Sequence, residues 1–257
     1  MAAHGRNTKS SEGERRSSLS FLAGGRLALV AGIAGAAALA LGTTASLGGF
    51  TASITNTGNK VATGSLIMSE QVTPTGGTTT TCLSTAAGAG ITTNADSSCS
   101  ANKFGALANA VPGDSSSSSV VIENQGSVSA KSLSMGSGSC TATPTAPAGA
   151  TATNVGTDTA GFCGKVDITI EDDTNSSAPT CVYPAQAGAC PAPGSTYTLA
   201  TLASAYQTNP LSLALPTGGL LAGASLTYKF TVELDPSATN ADQAMAATMP
   251  ITYTFGS

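Results

Sequence analysis

The strongest structural signal in this 257-residue chain is a strict alternation of apolar and polar residues from Ser225 to Leu234 (SLTYKFTVEL). Every even-numbered residue in the segment is apolar and every odd-numbered residue is polar. A period of two over this length predicts a β-strand with one buried face and one solvated face. The same pattern in Ile251–Phe255 (ITYTF) predicts a final strand. The end of the chain is therefore expected to belong to a sheet.

Shorter apolar runs predict further strands. They are Ser65–Val72, Ser119–Asn124, Val128–Met135, Lys165–Glu171 and Leu211–Leu215. The Gly-centred stretch Gln125–Ser127 predicts a tight turn between two of these strands. Two segments have the composition of short helices, Thr198–Tyr206 and Asn240–Ala247, and Asn240 is a candidate N-cap for the second.

Tracts rich in Gly, Thr, Ser and Pro separate the predicted strands. They are Thr73–Thr81, Ser115–Ser119, Thr141–Val155 and Asp173–Ser195, and we interpret them as loops or insertions. Many short strands with turn signals between them, and few helices, are typical of folds built from two packed sheets. The sequence therefore predicts an all-β jelly roll or β-sandwich with disulfide-bearing loop insertions and one or two short helices.

The first 49 residues have the organisation of a secretory signal peptide. A basic segment ends at Arg26, the apolar run Leu27–Leu41 follows, and small residues fill Gly42–Gly49. The apolar run is shorter than the roughly 20 residues that span a membrane, so cleavage within about residues 45–49 is expected. A retained signal anchor is the alternative, because no clear A-x-A site is present. Residues 50–257 are then expected to form a single jelly-roll domain, outside the cell or at its surface, with no membrane attachment after cleavage.

All six cysteines follow the predicted signal peptide, at Cys82, Cys99, Cys140, Cys163, Cys181 and Cys190. An even number of cysteines in an exported chain favours disulfide bonds. Fifteen pairings are possible, and the sequence alone does not select one. We favour the pairing of neighbours, because each bond would close a loop of low-complexity sequence: Cys82–Cys99, Cys140–Cys163 and Cys181–Cys190. A metal cluster is the alternative, but the sequence contains no CxxC pair to begin one.

The predicted mature chain contains no histidine, since His4 lies in the signal peptide. This removes the commonest general base and the commonest zinc ligand, so we expect no enzymatic activity and no cofactor. Residues 50–257 also carry twelve acidic residues, five lysines and no arginine, which gives a formal charge of −7. A surface of that sign repels phosphate backbones, so we expect no nucleic-acid partner.

Two short motifs have specific chemistry. Glu171, Asp172 and Asp173 offer oxygens of the kind that bind Ca²⁺, but they lack the spacing of a calcium loop, and a solvated turn is the interpretation that we favour. Asn175-Ser176-Ser177 matches the acceptor motif for N-glycosylation. Matches this short arise readily by chance in a Ser-rich sequence.

Several stretches together carry a family resemblance. They are Phe50–Ile67 with its Asn56-Thr57-Gly58-Asn59 motif, Pro112–Asp114, Glu123–Ser127, and the tail motifs Ala222-Gly223 and Asn240–Gln243. With these stretches in this order along the sequence, the chain resembles the camelysin/TasA family of exported bacterial proteins, some of which form biofilm matrix fibres. The resemblance implies a jelly roll that polymerises outside the cell, the first mature segment of one subunit completing the sheet of the next.

In this sequence that segment corresponds to Phe50–Ile54, with Phe50, Ala52 and Ile54 on one face of the strand. Pairing within its own subunit fits the same pattern, since strand patterning does not distinguish the two. The resemblance predicts self-association into filaments or association with related matrix proteins. A monomeric surface-binding module or adhesin is the alternative function. A secreted hydrolase, such as the proteases described among the family's relatives, is a third, which the absence of histidine disfavours.

Overall fold

In the computed structural model of this chain, the described residues are 55–56, 59–60, 62–86, 94–96, 98–105, 107, 109–145, 155–194 and 196–257. The predicted signal peptide, its cleavage region and the predicted assembly strand Phe50, Ala52 and Ile54 lie outside these residues.

The described part of the chain is mainly β-structure. Its strands are β1 (Thr55–Asn56), β2 (Asn59–Lys60), β3 (Met68–Pro74), β4 (Thr80–Leu83), β5 (Ser115–Asn124), β6 (Ser132–Ser137), β7 (Thr141–Pro144), β8 (Val166–Asp172), β9 (Thr180–Tyr183), β10 (Leu211–Leu213), β11 (Ser225–Leu234), β12 (Met245–Thr248) and β13 (Ile251–Gly256). One α-helix, α1 (Leu199–Tyr206), and a 3-10 turn at Phe162–Gly164 complete the elements.

Two antiparallel sheets pack against each other. The first has six strands in the order β4-β3-β5-β11-β8-β9, and the second has three strands in the order β10-β6-β13. Two-stranded ribbons are formed by β7 with β12 and by β1 with β2. This is the all-β sandwich with disulfide-bearing loops that the sequence predicts.

The core lies between the two sheets. From the six-stranded sheet, β11 buries Leu226, Tyr228, Phe230 and Val232, which are the even-numbered positions of its alternating pattern. Leu133, Met135 and Leu213 face them from the second sheet and belong to the same cluster of buried side chains. Removal of this apolar surface from water is the main force that holds the sheets together.

Helix α1 forms where the sequence predicts it. Thr198 is its N-cap, and its side chain accepts a hydrogen bond from the backbone N–H of Thr201, while the Thr201 hydroxyl accepts one from the backbone N–H of Thr198. This reciprocal pair satisfies N–H groups that have no partner within the helix. Leu199 and Leu202 are fully buried, so the helix closes part of the core.

The prediction of a second helix at Asn240–Ala247 is wrong. Met245–Thr248 is strand β12, which pairs with Thr141–Pro144 of β7. Ala244, immediately before that strand, has a φ of 51°, which is incompatible with a right-handed helix. The segment has helical composition, but a partner strand about a hundred residues earlier decides its conformation.

The interpretation of Ser115–Ser119 as a loop is also wrong, because these residues form the first half of β5. The serines have little strand preference of their own, but β11 pairs with all five of them. The other Ser/Thr-rich tracts likewise contribute short strands: β4 ends beyond the first tract, and β7 and β9 lie in the later ones.

The Gln125–Ser127 turn joins strands of different sheets instead of forming a hairpin, since β5 and β6 do not pair. The side chain of Asn124 stabilises this connection between the two sheets through hydrogen bonds. Its side-chain oxygen accepts from the Gly126 N–H at 3.0 Å, and its side-chain nitrogen donates to the carbonyls of Val128 and Leu220. A Cβ at Gly126 would lie 2.3 Å from the Ser65 carbonyl oxygen, so this position requires glycine.

Candidate assembly site

Strand β13 is an edge strand of the second sheet. Among the strands that the structure describes, only β6 pairs with it. The Gly138 N–H donates to the Pro250 carbonyl at 2.8 Å, in register with this pairing. Because hydrogen-bonded pairs alternate in an antiparallel ladder, Thr252 and Thr254 bond to β6, and Ile251, Tyr253 and Phe255 present their backbone groups to the open edge.

A cleft with a volume of about 450 Å³ borders this open edge. It lies between β13 and the hairpin formed by β3 and β4. Apolar side chains line both walls: Leu66, Met68 and Leu83 on one side, Ile251, Tyr253 and Phe255 on the other. Leu83 is 37% exposed, which is unusual for a large apolar side chain in this protein. The cleft therefore combines apolar surface with backbone groups that have no strand partner among the described residues.

A buried ion pair lies in the same cleft. Lys103 Nζ is 2.6 Å from Glu70 Oε1, and the two side chains are 9% and 14% exposed. The distance is that of a close, charge-assisted contact between an ammonium and a carboxylate. Each charge neutralises the other, so the pair fixes the Lys103 loop against β3 without adding net charge to the cleft.

Tyr253 brings a neutral phenol to the wall of the cleft. Its hydroxyl is buried and has no hydrogen-bond partner among the described residues. Burial, with a smaller contribution from the Glu70 carboxylate, raises the pKa of Tyr253 well above its ordinary value. Its ring stacks on Tyr228 of the opposite sheet, with 6.4 Å between ring centroids. The ring thus anchors β13 to the core while its backbone remains at the edge.

Disulfide bonds tie down both edges of the six-stranded sheet. The structure forms Cys82–Cys99, Cys140–Cys163 and Cys181–Cys190, the neighbouring pairs that the sequence favours. Cys82 lies in the edge strand β4 and Cys181 lies in the opposite edge strand β9. At β9 the loop closed by the bond folds back along the strand, and the Cys181 N–H donates to the Gly188 carbonyl at 2.6 Å. That edge is therefore occupied by the chain's own backbone.

The second sheet has no such protection in the described residues. Its edge strand β10 is three residues long, too short to template much pairing, but β13 has six. Cys140–Cys163 fixes the bend between β6 and β7, whereas Cys82–Cys99 lines the same cleft as β13. Neither bond lies in β13 itself. β13 is thus the longer unprotected edge of this sheet.

The acidic residues Glu171, Asp172 and Asp173 lie at the end of β8 and just beyond it. A Glu171 carboxylate oxygen accepts from the Cys190 N–H at 3.2 Å, and one from Asp172 accepts from the Thr174 N–H at 3.0 Å. These contacts hold the disulfide loop and the following turn. Within the described ranges, no group of three or more Asp, Glu, His or Cys side chains is arranged to hold a metal ion.

Asp167, which the sequence did not single out, has the most strongly shifted pKa of the carboxyl groups in the described residues. It is fully buried, and neither of its carboxylate oxygens has a hydrogen-bond partner in the described part of the chain. Burial, then the negative charges of Asp235 and Glu233, raise its pKa to about 6 against the opposing effect of Lys165. Its position on the alternating strand β8, among apolar neighbours, is the only sequence signal that points to it.

None of the helices in the described ranges is long and apolar enough to cross a membrane. Three disulfide bonds are suited to an oxidising compartment. No protein-family model matches the chain, and no curated protein matches it.

Proposed function

We propose that this chain is a structural subunit of an extracellular fibre, or of a cell-surface or biofilm matrix, and that it acts through contacts and not through catalysis. The observation that carries the proposal is the open edge of β13 beside an apolar cleft. In the assembly, Phe50–Ile54 of a second copy adds to this edge as an extra strand. The resemblance to the camelysin/TasA family supports the same assignment.

The lengths of the two segments are compatible. Five residues in a strand extend roughly 17 Å, and the six residues of β13 extend roughly 20 Å. An added strand pairs with the backbone groups of Ile251, Tyr253 and Phe255, and its alternate side chains enter the neighbouring cleft. Phe50, Ala52 and Ile54 share one face of such a strand, so the apolar side chains of the segment can all be buried there.

The arrangement of the disulfides supports a single direction of growth. Unprotected edges pair indiscriminately with other chains, and proteins protect them with bulges, charges or covering loops. Here both edges of the six-stranded sheet carry a disulfide, and β13 carries none. Strand addition confined to one edge builds a linear fibre, whereas two open edges would allow branching.

A monomeric adhesin is the second candidate, favoured by the hairpin between β3 and β4. The threonines at its tip are exposed, and the Thr73 and Thr79 hydroxyls bond to each other at 2.8 Å. A rigid, hydroxyl-rich loop of this kind is suited to binding a partner outside the cell. In this case the purified protein would remain monomeric whether or not Phe50–Ile54 is present.

Electron microscopy of the purified chain that begins at Phe50 tests the proposal. We expect filaments, and we expect their loss when Phe50–Ile54 is deleted or when Ala52→Pro removes a backbone donor from the added strand. Circular dichroism must show that the deleted form still folds. Filaments of normal length from the folded deletion variant would disprove strand exchange. Monomers from the intact mature chain at all salt concentrations would disprove the fibre and favour the adhesin.

A matched pair of substitutions locates the acceptor. Leu83→Glu places a charge in the cleft, and Leu221→Glu makes the same change at an exposed leucine that does not line it. Both positions are exposed, so neither change should unfold the domain. We expect only Leu83→Glu to abolish filaments. Equal effects of the two variants would show that added charge, and not the cleft, controls assembly.

A further inference from the structure

The turn between β8 and β9 presents the only asparagine of the chain that is followed two positions later by serine or threonine. The chain has eleven asparagines, so a single match by itself has little weight. The site is nevertheless accessible, because residues 174–178 are all exposed. What distinguishes Asn175 from a chance match is the geometry of the turn.

The side chain of Asn175 is held by the serine of its own motif. Its Oδ1 accepts a hydrogen bond from the Ser177 hydroxyl at 2.7 Å and another from the Ser177 N–H at 3.3 Å. The Ala178 N–H donates to the Asn175 carbonyl at 2.8 Å and closes the turn. In the described part of the chain, Nδ2 donates to no acceptor, so the reactive atom is not engaged.

We propose that Asn175 is the acceptor of an N-linked glycan. The donor is a glycan carried on a polyprenyl diphosphate, supplied with its transferase during or after export. A bond forms between Asn175 Nδ2 and the anomeric carbon of the glycan, and the bond from that carbon to the diphosphate oxygen breaks. Nδ2 loses one proton to the transferase's base or to water, and polyprenyl diphosphate leaves. No oxidant or reductant is required.

The two donors on Oδ1 explain why this amide is suited to the reaction. An amide nitrogen is a poor nucleophile because its lone pair is delocalised into the carbonyl. Transfer therefore requires negative charge to accumulate on Oδ1 as the proton leaves Nδ2. Hydrogen bonds already directed at Oδ1 stabilise that charge without reorganisation. Ser177 provides both of these bonds.

The position of Asn175 also keeps the glycan away from the cleft. The turn follows β8 and leads into β9, the edge strand farthest from β4 in the six-stranded sheet. Five strand spacings separate β9 from β4, or roughly 24 Å. A large hydrophilic group on this turn would shield the β9 edge without covering the cleft. The inference does not depend on the proposed fibre, since an adhesin would carry the same glycan.

Glycopeptide mass spectrometry of the full chain secreted by its own host tests this inference. We expect the peptide containing Asn175 to carry a glycan, and enzymatic release in heavy-oxygen water to leave a labelled aspartate at position 175. Asn175→Gln and Ser177→Ala should each abolish the modification. Ser177→Thr should retain it, because threonine supplies the same hydroxyl, and Ser176→Ala should retain it as a matched control.

An unmodified Asn175 in the secreted protein would overturn the inference. So would a glycan that persists in Asn175→Gln, since it would then lie on a serine or threonine hydroxyl. All four variants change an exposed turn, so we expect their thermal unfolding to match that of the parent chain. We expect Asn175→Gln to form filaments as the parent chain does, since the glycan lies away from the cleft. Glycosylation and assembly are therefore measured independently, and failure of one proposal can be told from failure of the other.

Discussion

Asp167 of β8 lies directly opposite Glu233 of β11, and both side chains point away from the face that carries Ile168 and Val232. Like charges at directly opposed positions of a sheet are destabilising. Asp167 is also fully buried without a hydrogen-bond partner among the described residues. The structure therefore holds this carboxyl in a position that favours its neutral form.

Replacing Asp167 with Asn is expected to stabilise the protein at neutral pH. The pKa of Asp167 is about 6 in the folded chain and near 3.8 in the unfolded chain, so the folded state binds the proton more tightly. The free energy of unfolding therefore falls as the pH rises from about 4 to above 6, and the full cost is present at pH 7.5. We expect Asp167→Asn to recover about 1–3 kcal/mol there and little at pH 4.

Urea denaturation of both proteins at a series of pH values measures this effect. Asp173→Asn, just beyond the other end of β8, serves as a control for the loss of one negative charge. An equal gain from the two variants at pH 7.5 would point to general charge reduction. A gain that does not change with pH would show that Asp167 does not titrate in this range.

The hydroxyl of Tyr228 provides a second prediction. The ring is almost completely buried and stacks on Tyr253, but the hydroxyl has no partner in the described part of the molecule. Burial raises the pKa of Tyr228 beyond the range in which it ionises in ordinary buffers. We expect Tyr228→Phe to leave stability unchanged or to raise it, because no hydrogen bond is lost.

Tyr228→Ala is the contrasting variant, and we expect it to cost about 3–5 kcal/mol through the cavity that it leaves between the sheets. Thermal and urea unfolding measure both changes. Destabilisation of more than about 1 kcal/mol by Tyr228→Phe would mean that the hydroxyl is hydrogen-bonded, for example to a buried water.

The parts of the fold that the sequence predicts are those that local pattern determines. β11 and β13 alternate because each has one face towards the core and one more exposed face, and α1 forms over the segment that the sequence predicts. β8 alternates in sequence as well, although Asp167 and Thr169 on its polar face are also buried. The wrong secondary-structure predictions arise where a strand that is distant in sequence determines the conformation of a segment. Met245–Thr248 becomes a strand because Thr141–Pro144 pairs with it.

The candidate site could not be predicted from local sequence patterns either. Leu66 and Phe255 line one cleft although they lie at opposite ends of the domain, and no local pattern connects them. The open edge of β13 follows from the order of strands in the sheet, which pairing over long sequence distances determines. The role of Phe50, Ala52 and Ile54 stays a prediction, and so does export.

The ion pair of Glu70 with Lys103 is expected to behave asymmetrically under mutation. Removing one partner leaves a largely buried charge, so Glu70→Leu or Lys103→Met should each cost about 2–4 kcal/mol. Replacing both, as Glu70→Leu with Lys103→Met, should cost less than either single change, since no charge is left unpaired. Urea unfolding at pH 7 gives the coupling energy. Additive single effects would show that the two charges do not interact.

The disulfide at β9 is expected to protect against aggregation beyond its effect on stability. The loop closed by Cys181–Cys190 pairs along β9, and the bond spans nine residues, which corresponds to about 2.5 kcal/mol. Replacing both cysteines with serine releases the loop and opens a second edge for strand pairing. We expect this variant to form aggregates that scatter light while most of its molecules are still folded.

The variant that lacks Cys140–Cys163 is the matched control. Its bond spans 23 residues, so its removal should cost more stability, about 3.5 kcal/mol, without opening an edge of the six-stranded sheet. At temperatures where the two variants are folded to the same extent, the β9 variant should aggregate faster. Faster aggregation of the Cys140–Cys163 variant under that condition would mean that the unfolded population drives aggregation. The Cys181–Cys190 bond would then contribute only to stability, because an edge strand that does not pair with other chains after its covering loop is released needs no protection.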